Sequence, residues 1–399
     1  MGSASHRFGW YLAVLQLFFT LCWTVYAIYL PRLAAAAGLA PGSVILLLML
    51  DQAVFTVCDF ATGIAADKVT GVLGRLGTWV AIATGLSCAA FIALPFVAAA
   101  GAPLLIVVTL VWTITSSALR APPLMLLGKY AAKPSIPYLS SLAMLGYGIA
   151  GALGPYLAIA LRDVDPRWPF ALASIVLVLT TLGMVSAERR LTQSQTLEPA
   201  RKVRAFGSFT KAAAVFALGM IVLALGYQIH FALESAPLFL RFAKPADLQW
   251  LMPVFWIGFN ISMFPASVVT ERLGGYAVMG AAGLIGALAI AGTYVASNLE
   301  MLVVAQFIAG GAWGAILMSA FTVAFAIGEN GGEGRMSGLL FSALALATFA
   351  RMAMIATGIN GEPALKIVLQ WLPTLCWAAA GAALLYLAMT GVRRLATNA

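Results

Sequence analysis

Six ionisable side chains sit inside stretches that are otherwise apolar: Asp51, Asp59, Arg120, His230, Glu234 and Arg351. A charge at that depth in hydrocarbon costs at least about 2.5–3.5 kcal/mol, so each needs a partner or a watery cavity. Such groups can bind an ion, exchange a proton or form a buried ion pair. His230 and Glu234 are four residues apart and so share one face of a helix. With Tyr227 and Gln228 they form the most polar patch of their segment. Hydrolysis would need a nucleophile–base pair or a metal cluster. Two histidines, His6 and His230, and four unspaced cysteines supply neither. No Gly-x-x-x-x-Gly-Lys-Ser/Thr phosphate loop is present, so the chain reads as a non-enzyme with no cofactor and no metal.

The elements that carry these residues are set by composition. Apolar residues make up 62% of the 399 and charged residues 9%, against roughly 25% charged in soluble domains. Mean hydropathy is +0.97. A span needs about 20 mostly apolar residues. Twelve candidates follow, at 9–30, 44–66, 78–98, 103–128, 138–161, 168–187, 212–241, 248–270, 277–297, 300–327, 337–359 and 367–391. They must be helices, because lipid cannot satisfy open strand edges. The first is read as a retained span, since bulky Trp10, Trp23 and Tyr26 replace a small-residue cleavage site. The polar, basic stretch 188–211 separates a six-helix bundle over 1–187 from a second over 212–399.

The net charge is +9. It is a topology signal and does not mark a nucleic-acid surface: fifteen of the 23 Lys and Arg fall on the side of the N-terminus and six on the other. The positive-inside bias places both termini in the cytoplasm.

Between the second and third spans the chain reads Asp59-Phe-Ala-Thr-Gly63-Ile-Ala-Ala-Asp67-Lys68-Val-Thr-Gly71-Val-Leu-Gly74-Arg75. This resembles the loop between helices 2 and 3 of the major facilitator superfamily of secondary transporters. Gly63, Asp67 and Lys68 fit that family's pattern; Gly71 arrives one residue late and the basic pair is reduced to Arg75. The spacing from Asp59 to Trp79 is also similar to the glycoside–pentoside–hexuronide cation symporters of the same fold, although Phe60 and Leu76-Gly77 depart from them. Gly146, Gly151, Gly154 and Pro155 resemble the glycine-rich helix-5 motif of superfamily antiporters, with Tyr156-Leu157 replacing its last glycines. Thr270-Glu271-Arg272-Leu273-Gly274 echoes the first loop half a chain later.

The resemblance implies an all-α polytopic membrane protein of twelve helices in two six-helix bundles. It would move a small organic solute by alternating access, as a monomer in a bacterial inner membrane, driven by a proton or Na⁺. Symport and antiport both remain open, as does a non-transporting receptor. Asp67 would latch the cytoplasmic side against helix 11, with Arg75 as a partner. Helices 2 and 11 face each other in that fold. Asp51 and Arg351 sit at matched depths of roughly 22 and 21 Å at 1.5 Å per residue, which leads to an expected Asp51–Arg351 ion pair gating the interface. Asp59 and Arg120 match in depth too, as a structural pair or an ion site. Arg120 precedes Ala121-Pro122-Pro123, which should kink its helix and free carbonyls. The substrate cavity is expected to be lined by Gln16, Trp23, Tyr26, Trp112, Tyr227, Gln228, Trp256, Asn260, Gln306 and Trp313.

Overall fold

The computed structural model describes residues 3–69, 75–193, 211–329 and 331–397. Among them every regular element is helical: α1 (Ser3–Ala36), α2 (Ser43–Val69), α3 (Arg75–Val97), α4 (Ala102–Ser116), α5 (Ala121–Tyr130), α6 (Ile136–Ala160), α7 (Arg167–Gln193), α8 (Lys211–Ile229), α9 (Ser235–Phe239), α10 (Leu248–Leu251), α11 (Pro253–Leu273), α12 (Gly275–Val295), α13 (Leu299–Gly328), α14 (Glu333–Ala356) and α15 (Lys366–Thr397). Eleven segments are long and apolar enough to cross a bilayer, and the stretch Arg167–Gly183 of α7 is a shorter apolar helix. Large apolar side chains cover the outside: Ile82, Leu172, Leu288 and Leu375 are all open to the surroundings. A soluble protein would bury such side chains; here lipid is the solvent. The protein is an integral membrane protein.

Three of the crossings are interrupted inside their length, and three others carry a 3₁₀ turn at one end. The fourth is split at the 3₁₀ turn Ser117–Leu119 between α4 and α5. Pro122 and Pro123 lack the N–H groups that would close this turn, as expected from sequence. The Leu119 carbonyl, left without its donor by Pro123, is reached by Gln16 Nε2 at 3.5 Å; Ser117 O accepts from the Arg120 N–H at 3.2 Å and is also reached by Thr62 Oγ1 at 3.4 Å. The seventh crossing passes through a π-turn at His230–Glu234 before α9. In the eighth, α10 and α11 follow directly on one another, with Pro253 opening α11.

The first half packs α1 against α6 and α7, and α3 against α4 and α7; the second packs α12 against α13 and α15, and α8 against α14 and α15. The halves meet chiefly through α2 with α14 and α6 with α11, and also through α5 with α14 and α6 with α13. Alternation of direction puts both chain termini on one face, called below the terminal face; the opposite one is the far face. The centre of the linker, residues 194–210, lies outside the described residues, and helix continues from α7 through Gln193.

Candidate functional site: a polar cavity between two bundles

On the terminal face the two halves are in main-chain contact. A Cβ added to Gly63 would strike the carbonyl of Gly334 and the Cα of Gly338. Only glycines permit this approach of α2 to α14. One turn further on, the Asp67 carboxylate accepts from the N–H groups of Gly334 (2.7 Å) and Arg335 (2.8 Å). These are the open donors at the N-terminus of α14, where the helix dipole favours an anion. The cost of a carboxylate at the C-terminal end of its own helix is thereby reversed. Ser141 Oγ of α6 donates to Met263 O of α11 at 3.1 Å, and Lys133 Nζ meets Glu329 at 2.6 Å. Lys68 is exposed. Gly71, Gly74 and the Arg75 side chain lie outside the described residues.

Beyond this seal, towards the far face, lies a cavity of about 470 Å³. Its walls come from both halves: Gln16, Phe19, Trp23 and Thr24 of α1, Gln52 of α2, Arg120, Tyr147 and Gly151 on one side, and Tyr227, Gln228, Trp256, Phe341, Thr348, Arg351 and Met352 on the other. That volume and the mixture of aromatic wall with a few polar groups suit a small organic molecule. A second hollow of about 490 Å³ sits near the far ends of α6 and α10, lined by Pro155, Ile159, Arg162 and Met252 among others.

Arg120 and Asp59 are paired. Arg120 Nη1 stands 3.0 Å from Asp59 Oδ2, and Asp59 is fully buried. The Arg120 guanidinium lies over the rings of Phe55 (4.5 Å) and Phe341 (5.1 Å). Phe341 belongs to α14, so this ion pair of the first half is stacked against the second.

The expected Asp51–Arg351 pair is not formed. Asp51 is fully buried and accepts from Tyr26 Oη at 2.7 Å and Thr113 Oγ1 at 2.9 Å, both in its own half. Arg351 donates from Nε to Gln228 Oε1 at 3.0 Å, also in its own half. Matched depth says nothing of azimuth. The residues that α2 turns to the cavity are Leu48 and the neighbour of Asp51, Gln52.

His230 and Glu234 do not share a polar patch. His230 is buried and its Nε2 pairs with Gln306 Oε1 at 3.1 Å, while Gln306 Nε2 donates to Ser235 Oγ at 3.0 Å. Glu234 is partly exposed, with Lys366 as its charged neighbour. Neither lines the cavity. The π-turn widens the helix between them, and Pro237 just downstream was the available signal.

Of the ten residues expected on the cavity wall, Gln16, Trp23, Tyr227, Gln228 and Trp256 are there. Five are not. Tyr26 turns to Asp51, with Trp112 packed on its ring at 4.6 Å. Trp313 stacks behind Tyr227 at 4.4 Å, Gln306 is held by His230, and Asn260 lies against Gly148. These polar and aromatic groups support the wall from behind. Tyr147, Gln52, Phe341 and Thr348 were missed, because an aromatic or hydroxyl on an apolar helix carries no mark of the side it faces.

The helix-5 glycines divide likewise. Gly146 allows contact with the backbone of α1, and Gly151 meets the Trp256 ring across the interface. Gly154 has open space beside it and Pro155 lines the far hollow, so neither serves helix packing as expected.

No family model matches the sequence, and no curated protein matches it. Solved structures do. A bacterial homologue of the iron transporter ferroportin in an outward-facing state superposes with TM-score 0.74 at 12% identity, covering 96% of this chain and 100% of that one. The human organic anion transporter MFSD10 gives 0.71 at 13%, covering 97% and 100%. The E. coli fucose:proton symporter FucP gives 0.66 at 13%, covering 97% and 99%. The chain therefore has the major facilitator fold over nearly its whole length.

Proposed function

We propose that the protein is a secondary active transporter that moves a small organic solute by alternating access, coupled to protons. The observation that carries this reading is the cavity between the two bundles, sealed on one face by the Asp67 clamp on the N-terminus of α14. A binding site at an interface closed on one side only is half of an alternating-access cycle. In this reading the terminal face, which carries the excess of loop Lys and Arg, is cytoplasmic, and the arrangement corresponds to an outward-facing state in an inner membrane. Breaking the clamp and the Lys133–Glu329 contact while the far ends close would present the same cavity inward.

Asp59 is the coupling carboxylate in this reading. Protonation would cancel the charge that holds Arg120, and Arg120 is stacked on Phe341 of the moving half. A proton on one residue is thus communicated to the interface. The activities of the fold neighbours, a fucose:proton symporter among them, are compatible with it.

Flux into proteoliposomes against a solute panel, with imposed pH or Na⁺ gradients, tests the proposal. Uptake should follow the pH gradient. Asp59→Asn should abolish gradient-driven uptake while leaving solute exchange intact. Absence of flux and of counterflow for every solute would sink transport; a Na⁺ requirement would replace the proton.

A further inference from the structure

We infer that the transported solute is an organic anion, a carboxylate on an apolar or aromatic body, and that Arg351 is its docking cation. This rests on the transport reading and specifies the solute.

The cavity wall holds two charged residues, Arg120 and Arg351. Arg120 is neutralised by Asp59. Among the described residues no carboxylate lies within ion-pair distance of Arg351. A guanidinium largely withdrawn from water without a counter-charge is expensive, and the structure keeps it there with some care. Gln228 accepts from Arg351 Nε at 3.0 Å and donates through Nε2 to Thr348 Oγ1 at 2.8 Å, and Thr348 in turn donates to Leu344 O at 2.9 Å. This relay uses both ends of the Gln228 amide and fixes the side chain by Nε alone. The two terminal amino groups of Arg351 have no protein partner among the described residues. A planar pair of N–H donors fits the two oxygens of a carboxylate.

The remainder of the wall describes the rest of the solute. Phe19, Trp23, Tyr147, Tyr227, Trp256 and Phe341 supply ring faces and edges. A solute with an apolar body and one anionic end satisfies both parts of the site. A neutral sugar would leave Arg351 uncompensated, and a cation would be repelled by it.

The test uses three bodies, phenyl, naphthyl and cyclohexyl, each as the carboxylate, the primary amide and the methylammonium. Binding to the purified transporter is read from Trp fluorescence and melting temperature, and transport from counterflow in proteoliposomes. The carboxylates should bind and the amides and ammoniums should not. Arg351→Gln should weaken carboxylate binding by about tenfold or more, and Arg351→Lys by less, since loss of charge-assisted bonds costs about 1.5–3 kcal/mol. The wild-type charge series needs no variant, so a misfolded Arg351→Gln protein cannot obscure the outcome. Binding or counterflow of amides or ammoniums, unchanged binding by a folded Arg351→Gln protein, or no binding of any carboxylate overturns the inference. Arg351-dependent carboxylate binding without counterflow leaves Arg351 standing as a carboxylate-docking cation and removes transport. Counterflow of neutral or cationic members does the reverse.

Discussion

The two bundles share a scaffold, yet their buried polar groups are wired in opposite senses. The first half buries two carboxylates deep on α2 and pairs both internally, Asp51 with the hydroxyls of Tyr26 and Thr113 and Asp59 with Arg120. The second half holds a half-buried arginine and a buried histidine, and pairs them with neutral amides, Gln228 and Gln306. At that depth a carboxylate held by hydroxyls alone, Asp51, lies in one half, and an arginine with no counter-charge among the described residues, Arg351, in the other. The helix ends differ as well. Asp67 in the last turn of α2 clamps the opposite half, whereas Glu271 in the last turn of α11 is exposed and makes no ion pair or hydrogen bond among the described residues. Two bundles with one architecture have thus taken up separate tasks. In the first, internal pairing supports the fold and, in the proposed cycle, one of the paired carboxylates exchanges a proton; in the second, an incompletely paired cation is the proposed docking point.

This contrast can be broken most forcefully at Arg120. Arg120→Ala leaves the Asp59 charge buried without its partner and should cost about 3–5 kcal/mol, seen as a large fall in melting temperature of the purified protein. Adding Asp59→Asn should recover much of it. Next comes Tyr26→Phe, which removes a donor from the buried Asp51 carboxylate; a loss of about 1.5–3 kcal/mol is expected, again in thermal stability. The smallest effect sharpens the second half of the contrast. Gln228→Ala frees Arg351 Nε and should raise the apparent half-saturation concentration roughly three- to tenfold, the equivalent of about 0.5–1.5 kcal/mol, with melting close to wild type. If Gln228→Ala destabilised the protein as much as Arg120→Ala, the division of tasks between the halves would fail.

The helices were readable because a membrane span is written in composition: 62% apolar residues leave few alternatives to twelve buried rods. The Asp59–Arg120 pair was legible for the same reason, since two opposite charges at one depth in the same half have few other partners. Depth alone misled for Asp51 and Arg351. Rise along a helix follows from counting residues, but the direction a side chain points depends on neighbours that the count does not contain. Tyr26 and Thr113 hold Asp51 away from the interface, and neither stands near it in the sequence. The π-turn at His230–Glu234 defeated the four-residue rule because that rule assumes an unbroken α-helix. Uniformly apolar helices also lack the amphipathic stripe that would have told Tyr147, on the cavity wall, from Tyr26, which lies away from it.

The meeting of Gly63 with Gly334 and Gly338 bears on leakage. Where two helices touch along their main chains, there is no gap between side chains for water to thread. In the proposed cycle, a continuous file of water would let hydronium run downhill without cargo and dissipate the driving gradient. Two strips of bare backbone act as a gasket, so that energy stored across the membrane is released only when the whole bundle turns.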